Sequence, residues 1–163
     1  MQKNEPEILK IIITRFEEDI KRHTEDPVKI YVGDIIYTNK IDLEELKEFI
    51  SLFIPPNIKY KLDSKDRYAP LPSLRIIFFI LCKYMGYTPT EIADSLKVTK
   101  RIFYTCYINT FNNDIIYNEP FKELFSKIIN QLNQKWYVPT ILSQIKQEWY
   151  NTESTLHTPL SEV

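Results

Sequence analysis

At 163 residues, with 44% apolar and 26% charged side chains, the chain has the size and make-up of one globular domain or of a core with a small appendage. Two glycines in the whole chain are too few for Gly-rich phosphate loops, which excludes P-loop and Rossmann nucleotide chemistry. A net charge of −1 argues against a non-specific nucleic-acid coater, whose affinity comes from accumulated Lys and Arg, but residues 63–112 carry 7 basic against 4 acidic side chains.

From the N-terminus, residues 6–23 place Leu9, Ile12, Ile13, Phe16 and Ile20 at three- and four-residue steps between charged side chains, which predicts an amphipathic helix. No signal-peptide hydrophobic region precedes it, and the most apolar stretch, Ile76 to Leu81, is far shorter than the ~20 residues that span a bilayer. A cytoplasmic protein that does not enter a membrane is expected. Residues 28–39 are rich in β-branched and aromatic side chains around Gly33, a pattern that fits a small β element near residues 28–38 and equally a loop wrapped on the core. Asp42 before Leu43-Glu44-Glu45-Leu46 is a carboxylate N-cap with an acidic first turn, opening a helix that Pro55-Pro56 ends.

Residues 55–72 hold four prolines together with Lys59, Lys61, Lys65 and Arg67, so they read as a linker or ordered loop whose basic side chains face solvent or a polyanion. Ser73 to Tyr84 is apolar almost all round, as the central helix of a bundle is. Phe121, Leu124, Phe125, Ile128, Ile129 and Leu132 form one helical stripe. Val138, Ile141, Leu142, Ile145 and Trp149 form another, and residues 151–163 read as a polar, mobile tail. Cys82 and Cys106 both fall in helical apolar patterns without CxxC or zinc-type spacing and are expected to be reduced, buried and unpaired.

The most informative run lies between Tyr87 and Asn112. Thr88 and Glu91 have the spacing of a capping box, and Pro89 occupies the first helical position, so three signals start a helix at one point. Ile92 and Leu96 give it an apolar stripe, and Ala93 is small where a second helix has to cross closely. Lys97 and Val98 then form a short turn, with Val98 directed to the core, and Thr99 is a natural N-cap for a following helix whose Phe103 and Cys106 face inward. The outer face of that helix is left with Lys100, Arg101, Tyr104, Thr105 and Asn109, side chains able to contact phosphates, base edges and thymine methyls in a major groove.

Glu91-Ile92-Ala93-Asp94-Ser95-Leu96-Lys97-Val98-Thr99 resembles the Glu-Ile-Ala…Leu-Gly-Val-Ser core of many bacterial helix-turn-helix regulators. A longer stretch, from Ser64 to about Leu132, is similar to the C-terminal DNA-binding domain of the bacterial replication initiator DnaA. The shared order is a basic loop (Ser64-Lys65-Asp66-Arg67), an apolar helix opened by Arg75, the capped short helix, a recognition helix and a final amphipathic helix. That family's Asp-His-Ser/Thr-Thr-Val signature is replaced here by Thr99-Lys100-Arg101-Ile102-Phe103, and no Gly-rich ATPase module is present. The resemblance therefore implies DNA binding by a stand-alone relative of that domain.

The sequence thus predicts an all-α bundle of about six or seven helices containing a helix-turn-helix. Residues 1–62 are an accessory N-terminal helical region, residues 63–150 the DNA-binding domain and residues 151–163 the tail. The expected partner is double-stranded DNA, with Thr99, Lys100, Arg101, Tyr104, Thr105 and Asn109 in the major groove and Lys65 and Arg67 on flanking phosphates. Transcriptional control and replication or mobile-element control fit equally. The rival reading is a protein-interaction adaptor that uses the motif as scaffold and its N-terminal or last helices as the contact, and a homodimer is left open. His23 and His157 have no second ligand near them in sequence, and the acidic runs Glu17-Glu18-Asp19 and Glu44-Glu45 have no accompanying nucleophile, so no metal, cofactor or enzymatic activity is expected. The tyrosines and phenylalanines are assigned to packing, because nothing alternates basic with aromatic residues as a single-strand reader would.

Overall fold

A computed structural model describes residues 28–145. The expected helix over residues 6–23, the tail, His23, His157 and Trp149 lie outside the described residues, as do the side chains of residues 100–104.

The chain enters as a hairpin of β1 (Lys29–Val32) and β2 (Ile35–Thr38), antiparallel with Val32 opposite Ile35. Gly33 turns it at φ +60°, the left-handed conformation that two-residue hairpin turns place on a first-position glycine. Asn39 Oδ1 accepts a 2.8 Å hydrogen bond from the Val28 N–H and fastens the open end. Of the two options for residues 28–38, the β element is the one formed.

Helix α1 (Leu43–Ser51) starts where Asp42 accepts from the Glu44 and Glu45 N–H groups, at 3.1 and 3.4 Å. It ends before the proline pair rather than at it. Leu52, Phe53 and Ile54 donate to carbonyls three residues back, tightening the last turn into the loop. After residues 55–70 the central helix α2 runs over Leu71–Tyr84, two residues earlier than the apolar run suggests, because Pro72 is tolerated in a first turn that needs no N–H donor. Leu71, Leu74 and every residue from Arg75 to Cys82 are buried, so α2 is the core about which α1, α3 (Pro89–Leu96) and α4 (Lys100–Tyr117) pack.

Helix α5 (Glu119–Lys135) is capped by Asn118, whose side chain accepts from the Phe121 N–H at 3.2 Å. Of the expected stripe it buries Phe121, Phe125, Ile128, Ile129 and Leu132 and leaves Leu124 half-buried, with Phe111 of α4 set edge-on between Phe121 and Phe125. A further helix begins at residue 139 and seats Ile141 and Ile145 in the core. Between these helices lies a short strand that sequence patterning passes over, β3 (Trp136–Tyr137), parallel to β2 with Ile36 opposite Trp136. Trp136 is buried edge-on against Phe49 of α1, so the sheet is stitched to the bundle by its own aromatic side chain. The described fold is helix-rich with a three-stranded sheet in the order β1-β2-β3, rather than purely helical. Ile41, Leu46, Phe49, Ile50 and Leu62 share one apolar cluster with the helices that follow, so residues 28–62 are built into the same core.

Two expectations about α4 need correction. Cys82 is buried, but Cys106 is exposed. The inner side of α4 is set by the buried Phe111 and Ile115 and the half-buried Tyr107 and Ile108, and position 106 falls on nearly the opposite face. Thr99 does stand at the N-cap position of α4, yet its side chain makes no capping hydrogen bond.

Candidate nucleic-acid interface

The start of α3 is fixed by a complete capping box. The Glu91 N–H donates to Thr88 Oγ1 at 3.2 Å and the Thr88 N–H donates back to Glu91 Oε1 at 3.4 Å, with Pro89 in the first turn. Its end is equally specified. Lys97 adopts φ 56°, ψ 40°, its N–H bonds to the Asp94 carbonyl, and the Val98 N–H reaches back to the Ala93 carbonyl at 3.0 Å. This is the paired hydrogen-bond pattern of a Schellman terminus, with lysine in the left-handed position that glycine usually fills. Val98 packs against the core and Ala93 is 1% exposed, so the residues Lys97-Val98-Thr99 turn the chain tightly from α3 into α4.

Thr105 and Asn109 are exposed on α4, one turn apart, and Thr99 is exposed at its start. Lys100, Arg101 and Tyr104 belong to the first turns of α4, between Thr99 and Thr105. Of the expected positions on α4, Thr105 and Asn109 are the exposed ones among the residues whose side chains are described.

Lys65 and Arg67 are both exposed on the loop before α2. Arg75, 6% exposed, holds that loop: its Nε donates to the Leu62 carbonyl at 2.7 Å and its Nη2 donates to the Ser64 carbonyl at 2.7 Å and to Ser64 Oγ at 3.3 Å. Burial pulls the guanidinium below the usual arginine range, opposed by Tyr107, Asp66 and Asp63. A buried cation needs such partners, and here they are the carbonyls that set the loop's path.

Asp63 ties the loop to the turn between α3 and α4. Its Oδ2 lies 3.4 Å from Lys97 Nζ and 3.4 Å from Lys47 Nζ, and Lys47 donates in turn to the Ser95 carbonyl at 2.8 Å near the end of α3. Burial raises the Asp63 carboxyl, but the charge of Lys47 and the hydrogen bonds from Lys97 and Lys47 outweigh it, and its pKa lies below the ordinary aspartate value. Through this cluster the loop that carries Lys65 and Arg67 is tied at Asp63 to the turn that precedes α4. Sequence reading overlooked the Asp63–Lys47–Lys97 cluster, since its members come from three elements. The signal that was available is Arg75 itself, a charge inside an otherwise apolar helix.

Among the described residues no group of three His, Cys, Asp or Glu side chains is placed to hold a metal ion, and no helix is long and apolar enough to cross a membrane. Compared with family models, with curated proteins and with solved structures, the chain matches none of them significantly.

Proposed function

We propose that this protein binds double-stranded DNA sequence-specifically, with α3, the turn at Lys97 and α4 acting as a helix-turn-helix and α4 entering the major groove. The observation that carries the reading is the ion pair between Asp63 and Lys97, which joins the loop bearing the exposed Lys65 and Arg67 to the turn that starts α4. Phosphate-binding cations flank the helix that would read bases, and this is the division of labour duplex recognition requires. Arg101, Thr105 and Asn109 are the base-reading set, Arg101 for guanine and Asn109 for adenine edges. Lys65, Arg67 and Lys100 supply phosphate contacts. Transcriptional control and replication or mobile-element control use such a module alike, and the likeness to the DnaA DNA-binding domain supports the second as much as the first. The test is titration of the full chain with duplexes selected from a randomised pool. One enriched sequence with salt-sensitive affinity is expected, and the absence of any salt-sensitive duplex binding refutes the reading.

A further inference from the structure

The loop before α2 carries a feature that duplex binding does not use. Tyr60 and Tyr68, eight residues apart in sequence, lie with ring centroids 5.4 Å apart and planes 1° from parallel. They are also exposed, at 43% and 61%, so these two depart from the assignment of the tyrosines to packing that the sequence suggests. Four exposed cations surround the pair in sequence, Lys59 and Lys61 on either side of Tyr60 and Lys65 and Arg67 just before Tyr68. The acids of the same loop are engaged elsewhere: Asp63 faces Lys47 and Lys97, and Asp66 acts on the buried Arg75. A hollow of about 440 Å³, lined by Asn57, Ile58, Lys59 and the two rings, opens against the platform.

The platform is held rigidly. Leu62 is fully buried between the two tyrosines in sequence, the Arg75 guanidinium fixes the Leu62 and Ser64 carbonyls, and the Tyr68 carbonyl accepts from the Leu71 N–H at 2.8 Å at the start of α2. Stacked aromatic rings among exposed Lys and Arg have the composition of a surface for unpaired nucleobases, where rings take the base face and cations take the flanking phosphates. An apolar peptide would gain little from four cations, and a duplex offers no open base face.

We propose that Tyr60 and Tyr68 form a stacking site for an unpaired base of single-stranded DNA, with Lys59, Lys61, Lys65 and Arg67 on the adjoining phosphates. The choice of DNA over RNA rests on the duplex-binding reading, because the Asp63–Lys97 pair places this loop beside the proposed recognition helix. The protein would then engage duplex and an adjacent single strand together, as at a melted or gapped site.

The test uses the full chain with short oligothymidylate, oligouridylate, a plain duplex, and the same duplex carrying a single-stranded thymidine extension. Wild type is expected to bind oligothymidylate at low salt and the extended duplex more tightly than the plain one. Y60A/Y68A is expected to lose about tenfold or more on both single-stranded probes while its plain-duplex affinity is unchanged, and Y60F/Y68F is expected to restore binding. Bromodeoxyuridine crosslinking of wild type should map to Tyr60 or Tyr68, a readout that needs no variant to fold. Equal oligothymidylate binding by wild type and Y60A/Y68A, no single-strand binding by wild type, or crosslinks confined to other residues would each overturn the proposal. Tighter binding to oligouridylate overturns the choice of DNA. Loss of plain-duplex binding with tyrosine-dependent single-strand binding intact would sink the helix-turn-helix reading and leave the stacking site standing.

Discussion

Lys97 occupies a backbone conformation that costs an L-residue roughly 1 kcal/mol relative to glycine, because its Cβ crowds the neighbouring carbonyl. The return is its ammonium group on Asp63, yet Lys97 is 71% exposed, and an ion pair so open to water contributes only about 0–1 kcal/mol. The two effects separate by comparing substitutions. Lys97→Ala keeps the left-handed strain and loses the pair, whereas Lys97→Gly loses the pair and relieves the strain. Chemical denaturation is expected to find the glycine variant more stable than the alanine variant by about 1 kcal/mol. Equal stabilities would mean that the turn is not held in this conformation. Asp63 makes a second prediction. Its carboxyl is held below the ordinary value near 3.9, so its contribution is complete above that pH and is lost as pH falls through the lower folded value. The stability gap between wild type and Asp63→Asn should be constant at neutral pH and should close only below about pH 4. A gap that closes between pH 5 and 7 would contradict the ion-pair geometry.

At the scale of elements, legibility followed the strength of the local signal. The capping box at Thr88 and Glu91, the carboxylate cap at Asp42 and the α5 stripe from Phe121 to Leu132 are readable because each is completed within a few residues. Strand β3 is not readable, for it has two residues between two helical stripes and its partner β2 lies about a hundred positions earlier in the chain. Helix α4 misleads for another reason. Apolar and polar side chains are scattered round it, so its inner line emerges only from packing against α2 and α5, where Phe79 meets Tyr107 and Phe111 meets Phe121. That line decides Cys106, while Cys82 is buried on α2. Cys106 is expected to react with a maleimide within minutes in the native protein, while Cys82, whose thiol burial pushes up, reacts only on unfolding. Protection of Cys106 would mean that α4 is rotated from the position described, and rapid labelling of Cys82 would mean that α2 is not the buried centre of the fold.

For the whole molecule, the Pro-rich loop joins what the sequence keeps apart. Composition marks residues 55–70 as irregular and basic, but only the fold reveals that Arg75 sets the loop's path, that Asp63 carries it to the turn at Lys97, and that Tyr60 and Tyr68 meet. A core in which α2 is buried on every side gives α3, the turn and α4 a fixed support, so a helix offered to a groove would be presented rigidly. The proposed assignment makes Arg101 a reader of bases and Lys65, Arg67 and Lys100 holders of phosphate. Titration of wild type and Arg101→Ala against a selected and a scrambled duplex, at several salt concentrations, tests it most directly. The account predicts salt-sensitive binding by wild type with a log–log slope of about −3 from those three phosphate contacts. It also predicts a loss of about 1 to 3 kcal/mol for Arg101→Ala on the selected duplex alone, with the slope kept. An even loss on both duplexes with a slope reduced by about one would make Arg101 a phosphate contact. Failure of the wild-type protein to bind either duplex at low salt would contradict DNA binding through α4 altogether.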